Sequence, residues 1–283
     1  MAGKIKVITA KRAGFCFGVK RAIDMAFEVA KKSENVYTLG PIIHNPQVIA
    51  KLKSEGVRPI ESIDSPKIKT LIVRTHGVPK EISEKLSRKK YEVIDTTCPF
   101  VKKAQKYAGL LKDEGYQVVI IGDRTHPEVE GLMSYAGPDV VVINSDDSLL
   151  KLKLKSRVGV VVQTTQPVSV LKKFVSYAVD HVKELKVFNT ICNSTALRLK
   201  ETKDIARGVD AVIVVGGKNS ANTTQLANFC ISISVPTYHI ETASEIRNEW
   251  FLNVRKVGIT AGASTPDWII EEVTDRIRHI GGR

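Results

Sequence analysis

The sequence predicts an α/β protein: three similar α/β domains with mainly parallel sheets, set around a pseudo-threefold axis and a shared central cavity. Three observations predict this. Cys16 and Gly40, Cys98 and Gly122, and Cys192 and Gly216 are each separated by 24 residues. Short β-rich runs, polar loops and helical patterns alternate nine times along the chain. A third strand in each copy ends in a polar loop closed by proline: Thr75 to Pro79, Thr164 to Pro167 and Ala263 to Pro266. A spacing kept three times marks one structural unit used three times. Alternating strands and helices build parallel sheets covered on both faces, and ligands bind beyond the carboxyl ends of their strands. All nine polar loops fall at that end.

The elements come in order. Each copy opens on a cysteine that trails a β-rich run: Lys4 to Ile8, Glu92 to Asp95 and Lys186 to Asn189. A helical pattern succeeds each cysteine. In the first, Val19, Ala22, Ile23, Ala26, Val29 and Ala30 keep helical spacing. The second pattern runs from Val101 to Leu111 and stops by Gly115; the third runs from Thr195 to Ala206 and stops at Gly208. A second apolar run ends at each glycine: Val36 to Leu39, Val118 to Ile121 and Val212 to Val215. The helices that close each copy begin near Pro79, Pro167 and Pro266. Cysteine-to-proline distances are 63, 69 and 74 residues, so insertions fall between the second and third strands. The resulting domains are 16–97, 98–190 and 191–283. The strand within 1–15 has no partner of its own and is expected to join the third. The tail Gly281-Gly282-Arg283 is expected to fray.

Composition narrows the class. A chain of 283 residues buries roughly 75% of its unfolded surface and needs no staples. Its four cysteines lack the paired short spacing of a disulfide framework. No run approaches the ~20 apolar residues of a membrane span. The first residues lead into a strand, not a signal-peptide core. A cytoplasmic protein with reduced thiols and no membrane partner is the expectation. Lys and Arg number 43 against 30 Asp and Glu, a net charge of +13. Spread along the chain, this excess suits a lysine-rich solvated surface, or attraction to a phosphorylated substrate or an acidic electron-transfer partner. No zinc-finger or RNP-type motif accompanies it, so no nucleic-acid partner is expected.

The loops hold the chemistry. A single cysteine is usually a small buried hydrophobe, and Cys230, inside Phe229-Cys230-Ile231, fits that description. Cys16, Cys98 and Cys192 instead share one place in three copies. Each precedes a helix, whose positive N-terminus favours thiolate. Three thiolates suit zinc or an iron–sulfur cluster. A structural zinc site closes with a fourth ligand, and no fourth cysteine holds an equivalent place. Four residues past the glycines stand His44, His126 and Ser220; six past stand Pro46, Glu128 and Asn222. A lone histidine is usually a satisfied surface or core group, but His44, His76 and His126 all sit on such loops and point to anion binding or proton relay. Glu128 beside an open metal position suits a general acid. The plain alternative is an acid that starts a helix, and Glu130 is the weaker candidate. The run from Gly216 to Thr223 looks like a phosphate cradle at a helix N-terminus, without Walker A spacing. Ser264, Thr164 and Thr165 add hydroxyls. With His44 and His76 these groups suffice for a diphosphate.

At these residues the chain resembles the 4-hydroxy-3-methylbut-2-enyl diphosphate reductase family of the non-mevalonate isoprenoid pathway. The resemblance spans nearly the whole chain. It rests on Gly14-Phe15-Cys16-Phe17-Gly18-Val19, His44-Asn45, Thr75-His76-Gly77-Val78, Asp95-Thr96-Thr97-Cys98-Pro99, His126-Pro127-Glu128-Val129-Glu130-Gly131, Gln163-Thr164-Thr165, Lys218-Asn219-Ser220 with Asn222, and Thr260-Ala261-Gly262-Ala263-Ser264. It implies a 4Fe–4S cluster held by Cys16, Cys98 and Cys192, with the substrate hydroxyl on the open iron. It implies three catalytic residues: Glu128, which supplies a proton, Thr164, which orients the hydroxyl, and His126. Two electrons and two protons then remove water, and protonation of an allyl anion-like species gives isopentenyl or dimethylallyl diphosphate. The diphosphate would be held by His44, His76, His126, Ser220, Asn222 and Ser264. Ala221 stands where the family often has Ser or Gly, leaving only a backbone contact there. Ferredoxin or flavodoxin is implied as electron donor. Two other classes are set against this one: a dehydratase like quinolinate synthase on a similar three-cysteine scaffold, and a metal-bearing nucleic-acid-binding protein that rests on charge alone.

Overall fold

The computed structural model describes residues 5–282 except 44, 65–66, 145–148, 150–151 and 219, with the backbone alone of 221–222. Among these residues the chain forms three four-stranded sheets, and every pairing in them is parallel.

In chain order the elements are β1 (Lys6–Thr9), α1 (Phe17–Lys32), β2 (Val36–Leu39), α2 (Pro46–Ser54), β3 (Val57–Ile60), β4 (Thr70–Val73), α3 (Lys80–Leu86) and β5 (Glu92–Asp95). Next come α4 (Pro99–Asp113), β6 (Gln117–Ile121), α5 (Pro127–Ala136), β7 (Val141–Ile143), β8 (Arg157–Val162), α6 (Val168–Val179) and β9 (Glu184–Val187). The last part holds α7 (Asn193–Ala206), β10 (Ala211–Val215), α8 (Ala221–Ser232), β11 (Thr237–Ile240), β12 (Lys256–Ala261) and α9 (Asp267–Gly281). The sheet orders are β3-β2-β4-β5, β7-β6-β8-β9 and β11-β10-β12-β1. One topology is thus used three times. The edge strand of the last sheet comes from the start of the chain, with Lys6 opposite Lys256.

The sequence shows three strands per sheet; the structure has a fourth. β3, β7 and β11 lie in the segments where the insertions fall, each at a sheet edge. They have three or four residues. Pro59 breaks the pattern in β3, and an edge strand tolerates it because one side of its backbone needs no partner.

By internal contact the chain divides into two compact units. One comprises Met1–Lys20, Ile43–Val48 and Asn193–Arg283, the other Arg21–Ile42 and Ile49–Cys192. In the first unit, β10 sends Ile213 and Val215 into a core with Ile269, Val273 and Ile277 of α9. Val212 and Val214 face the opposite way, onto Ala206 of α7 and Leu226 of α8. In the second unit β6 does the same. Val118 and Ile120 pack on α4 and α5, while Val119 and Ile121 pack on α6. All five residues of β6 and of β10 are buried, as a central parallel strand covered on both faces requires. Gly159 of β8 and Gly258 of β12 hold matching places. A Cβ at either would fall 2.5 Å from Leu111 or 2.7 Å from Ile205, so glycine lets α4 and α7 seat directly on their sheets.

One expectation about the ends is corrected. α9 runs on to Gly281, which is buried in contact with Ile5. The tail is therefore docked through that residue; Arg283 lies outside the described residues.

Candidate active site

Each of the three repeated cysteines is the residue immediately before a helix: Cys16 before α1, Cys98 before α4, Cys192 before α7. Cys98 is the N-cap of α4, with Pro99 at the first helical position, where a missing N–H costs nothing. The backbone N–H of each cysteine donates to the loop that ends the neighbouring strand. Cys16 donates to Ala263 O at 3.2 Å, Cys98 to Thr75 O at 3.0 Å and Cys192 to Thr164 O at 2.8 Å. The three acceptors occupy equivalent places in the proline-closed loops. Asx turns prepare two of these sites: Asp95 Oδ1 accepts from Thr97 N–H at 2.9 Å, and Asn189 Oδ1 from Ile191 N–H at 3.2 Å. All three cysteines are half-buried and unbridged. Cys230 differs in every respect. It is fully buried in the core between β10 and α8, and burial pushes its thiol up to about 11, so it stays a protonated hydrophobe.

Glu128 is 2% exposed whereas Glu130 is exposed, which separates the two acids of α5. The Thr164 N–H donates to Glu128 Oε1 at 2.6 Å, and the Thr164 hydroxyl to Oε2 at 2.9 Å. Burial raises the Glu128 carboxyl and the two Thr164 bonds lower it; burial wins, and the group rests at about 7. It can therefore hold a proton near neutral pH and give it up. Thr164 also supplies the carbonyl that takes the Cys192 N–H. Acid, threonine and cysteine are joined by three hydrogen bonds inside one unit. Thr165, next in the chain, is exposed.

His126 is the N-cap of α5, and its Nδ1 accepts the Glu128 N–H at 3.1 Å. The His76 ring meets it edge to face, centroids 5.2 Å apart. Gly77 makes the turn after His76 at φ +73°; a Cβ there would lie 2.8 Å from Gln105 Nε2. In the other unit Ser220 caps α8, its hydroxyl accepting from Thr223 N–H at 3.4 Å. Asn45 Nδ2 donates to Ser264 O at 2.9 Å, and Asn45 Oδ1 accepts the Val48 N–H at 3.0 Å. The sequence places the α2 loop in step with the other two; the cap shows it one residue longer. His44 lies outside the described residues, as do the side chains of Ala221 and Asn222. Among the described residues no group of three His, Cys, Asp or Glu side chains suits a single metal ion. No helix among them is long and apolar enough to cross a membrane.

Sequence reasoning missed three supporting residues. Arg198 of α7 is 4% exposed and donates to Arg12 O at 2.8 Å and Gly14 O at 2.6 Å. Glu201 accepts the Lys11 and Arg12 N–H groups at 2.8 and 2.9 Å. Together they hold the loop that leads to Cys16. The available signal was the inward face of α7, which reads Arg198, Thr202, Ala206 instead of an apolar stripe. Gln105 is the third: it is buried under the His76 turn.

Known proteins are similar to this chain in sequence and fold. Residues 7–278 match the model of the family described as LytB protein. The chain is 52% identical over 276 residues to a 4-hydroxy-3-methylbut-2-enyl diphosphate reductase of Pelobacter propionicus, covering 98% of this chain and 99% of the relative. It is 49% identical over 279 residues to the protein of the same name in Geobacter sulfurreducens, covering 99% of each. A solved (E)-4-hydroxy-3-methyl-but-2-enyl diphosphate reductase, described as the terminal enzyme of the non-mevalonate pathway, superposes with a TM-score of 0.80 at 46% identity, over 97% of this chain and 99% of that one. The solved reductase from Plasmodium falciparum superposes with a TM-score of 0.84 at 29% identity, over 96% and 87%.

Proposed function

The chain belongs to the LytB protein family, and from that premise we propose how its residues divide the work of a 4-hydroxy-3-methylbut-2-enyl diphosphate reductase. The enzyme is an oxidoreductase of the non-mevalonate pathway. It breaks the allylic C–O bond, releases the oxygen as water, and consumes two electrons and two protons to give isopentenyl and dimethylallyl diphosphate. No observation favours a quinolinate-synthase-like dehydratase or a nucleic-acid-binding role.

Cys16, Cys98 and Cys192 fit a three-thiolate cluster by their chemistry. They are soft donors at helix N-termini, each with its backbone fixed, while the one cysteine outside the repeat is buried and held protonated. A 4Fe–4S cluster on these three thiolates supplies low-potential electrons and an iron with no protein ligand. The proton is the task of Glu128, whose carboxyl is protonated up to about pH 7 and is aimed by two bonds from Thr164. Thr164 orients the substrate hydroxyl. His76 and His126, with Ser220, Ser264, Asn222, His44 and the backbone at Ala221, hold the diphosphate through charge and helix-terminal amides. The threefold repeat defines domains at 16–97, 98–190 and 191–283 with the first strand added to the last. A low-potential carrier such as ferredoxin or flavodoxin delivers the electrons, in the cytoplasm. The buried Glu128–Thr164 pair, bonded on to Cys192, is the observation that supports this reading most. Anaerobically purified protein should be brown, contain about four irons and four sulfides per chain, and reduce the diphosphate substrate with dithionite. A colourless, zinc-loaded and inert preparation would overturn it.

A further inference from the structure

The solvent side of α4 is not what a merely solvated helix needs. The helix buries Val101, Ala104, Gln105, Ala108 and Leu111 against β6, β8 and α5. On its outer side Phe100 is 42% and Leu110 is 38% exposed, with Lys103, Lys106 and Tyr107 between them at helical spacing. The Tyr107 ring lies flat on Phe188, just past β9, with centroids 4.0 Å apart and planes 1° from parallel. Lys103 Nζ sits 5.7 Å from the Tyr107 centroid. Lys102 is paired with Asp95 and Lys186 with Glu114, whereas neither Lys103 nor Lys106 has a carboxylate partner among the described residues. The result is an aromatic and aliphatic strip with uncompensated positive charge.

Its position matters as much as its composition. α4 begins at Cys98, and β9 leads within five residues to Cys192. The strip is therefore built by the two elements of this unit that end at two of the repeated cysteines. Electron transfer between proteins weakens steeply with distance, so a carrier must dock close to the acceptor. Redox encounters use small, weak interfaces with aromatic residues at the centre and charge at the rim. We propose that this face of α4 and β9 is the docking surface for a small acidic electron-carrier protein, an inference that rests on the reductase reading above. Each turnover would oxidise two one-electron carriers and reduce one substrate. Lys103 and Lys106 would steer the acidic carrier in, and Phe100, Tyr107 and Phe188 would form the dry centre.

The test compares wild-type holoenzyme with the double variant K103E/K106E, using an acidic ferredoxin as the probe. The KM for reduced ferredoxin should rise about tenfold with little change in kcat at saturation. The Kd for oxidised ferredoxin, measured by calorimetry, should weaken to the same degree and depend less on salt. Turnover driven by dithionite should be unchanged, which also shows that the variant is folded and loaded. Phe100→Ser should weaken ferredoxin binding without altering its salt dependence. Equal KM and Kd in wild type and K103E/K106E would overturn the proposal. So would an equal effect from K172E/K173E, which removes the same charge elsewhere. Weakened binding of a fluorescent oligonucleotide with an unaltered ferredoxin Kd would assign the strip to nucleic acid instead. Wild-type protein inert even with dithionite would count against the reductase reading, not against the docking surface.

Discussion

At the scale of single residues, Glu128 concentrates the chemistry and also a cost. Its carboxyl rests at about 7 in the fold, against 4.5 unperturbed. The folded state therefore holds the proton more tightly than the unfolded chain does. The favourable contribution is complete below pH ~4.5 and is lost as pH rises to ~7. Above that the buried charge destabilises by something of the order of 3 kcal/mol. Among the described residues burial and the two Thr164 bonds set this group, and His126 accepts its backbone N–H. Glu128→Gln removes the ionisation while keeping the shape. We expect Glu128→Gln to lose at least about 100-fold in kcat with cluster content unchanged. Its melting temperature should exceed wild type by a margin that grows from pH 5 to pH 8. Calorimetric scans across that range check the second point without any turnover; a margin independent of pH would mean that Glu128 is ordinarily solvated. The wild-type rate should fall as pH rises through about 7. Glu128 was legible in the sequence because the repeat made it comparable with Pro46 and Asn222. The buried Thr164 contact that tunes it was not, since the partners are 36 residues apart.

Among elements, α7 shows how a helix can serve a loop distant in sequence. Arg198 is buried and forks between Arg12 O and Gly14 O, 186 and 184 residues away. Neither Met nor Lys can span both carbonyls as a planar guanidinium does. Arg198→Met keeps most of the volume and leaves two carbonyls in need of donors. A loss of about 2–4 kcal/mol in stability is expected. Arg198→Lys should recover little of it. Because the loop leads to Cys16, metal-free Arg198→Met should also react faster with iodoacetamide at Cys16 than at Cys98, read by mass spectrometry against wild type. Equal labelling would confine Arg198 to general packing. Such pairings escape a reading based on periodicity, which sees only near neighbours. The same limit explains the strands. The central ones stand out: β10 is an unbroken apolar run, and β6 is one after its opening Gln117. β3 and β11 are four residues long and partly polar, and β7 is an apolar run of only three residues, too short for periodicity to tell a strand from a piece of helix.

For the molecule as a whole, connectivity is the consequence of the repeat. β5 and β9, the last edges of two sheets, follow the helices that close their copies, whereas the third sheet takes its last edge from β1. β1 is therefore a structural member of a unit whose other strands lie more than 200 residues later. Its four residues bond in register to β12 from Lys256 to Ile259, and Ile5 beside it is buried with α9 and Gly281. N-terminal residues are ordinarily expendable because few contacts tie them down; here strand pairing and core burial tie them down. Removing residues 1–9 should cost several kcal/mol: burial of one aliphatic side chain contributes about 1.5–3 kcal/mol, and the exposed edge of β12 then loses its ladder bonds. Cys16 would also hang from a loop whose upstream end is no longer fixed. The expected outcome is a single lowered unfolding transition and anaerobic preparations deficient in iron. If the shortened protein melted and bound iron like the full chain, β1 would be an ornament on the sheet. The cysteine it precedes would then owe its position to Arg198, Glu201 and the Ala263 carbonyl alone.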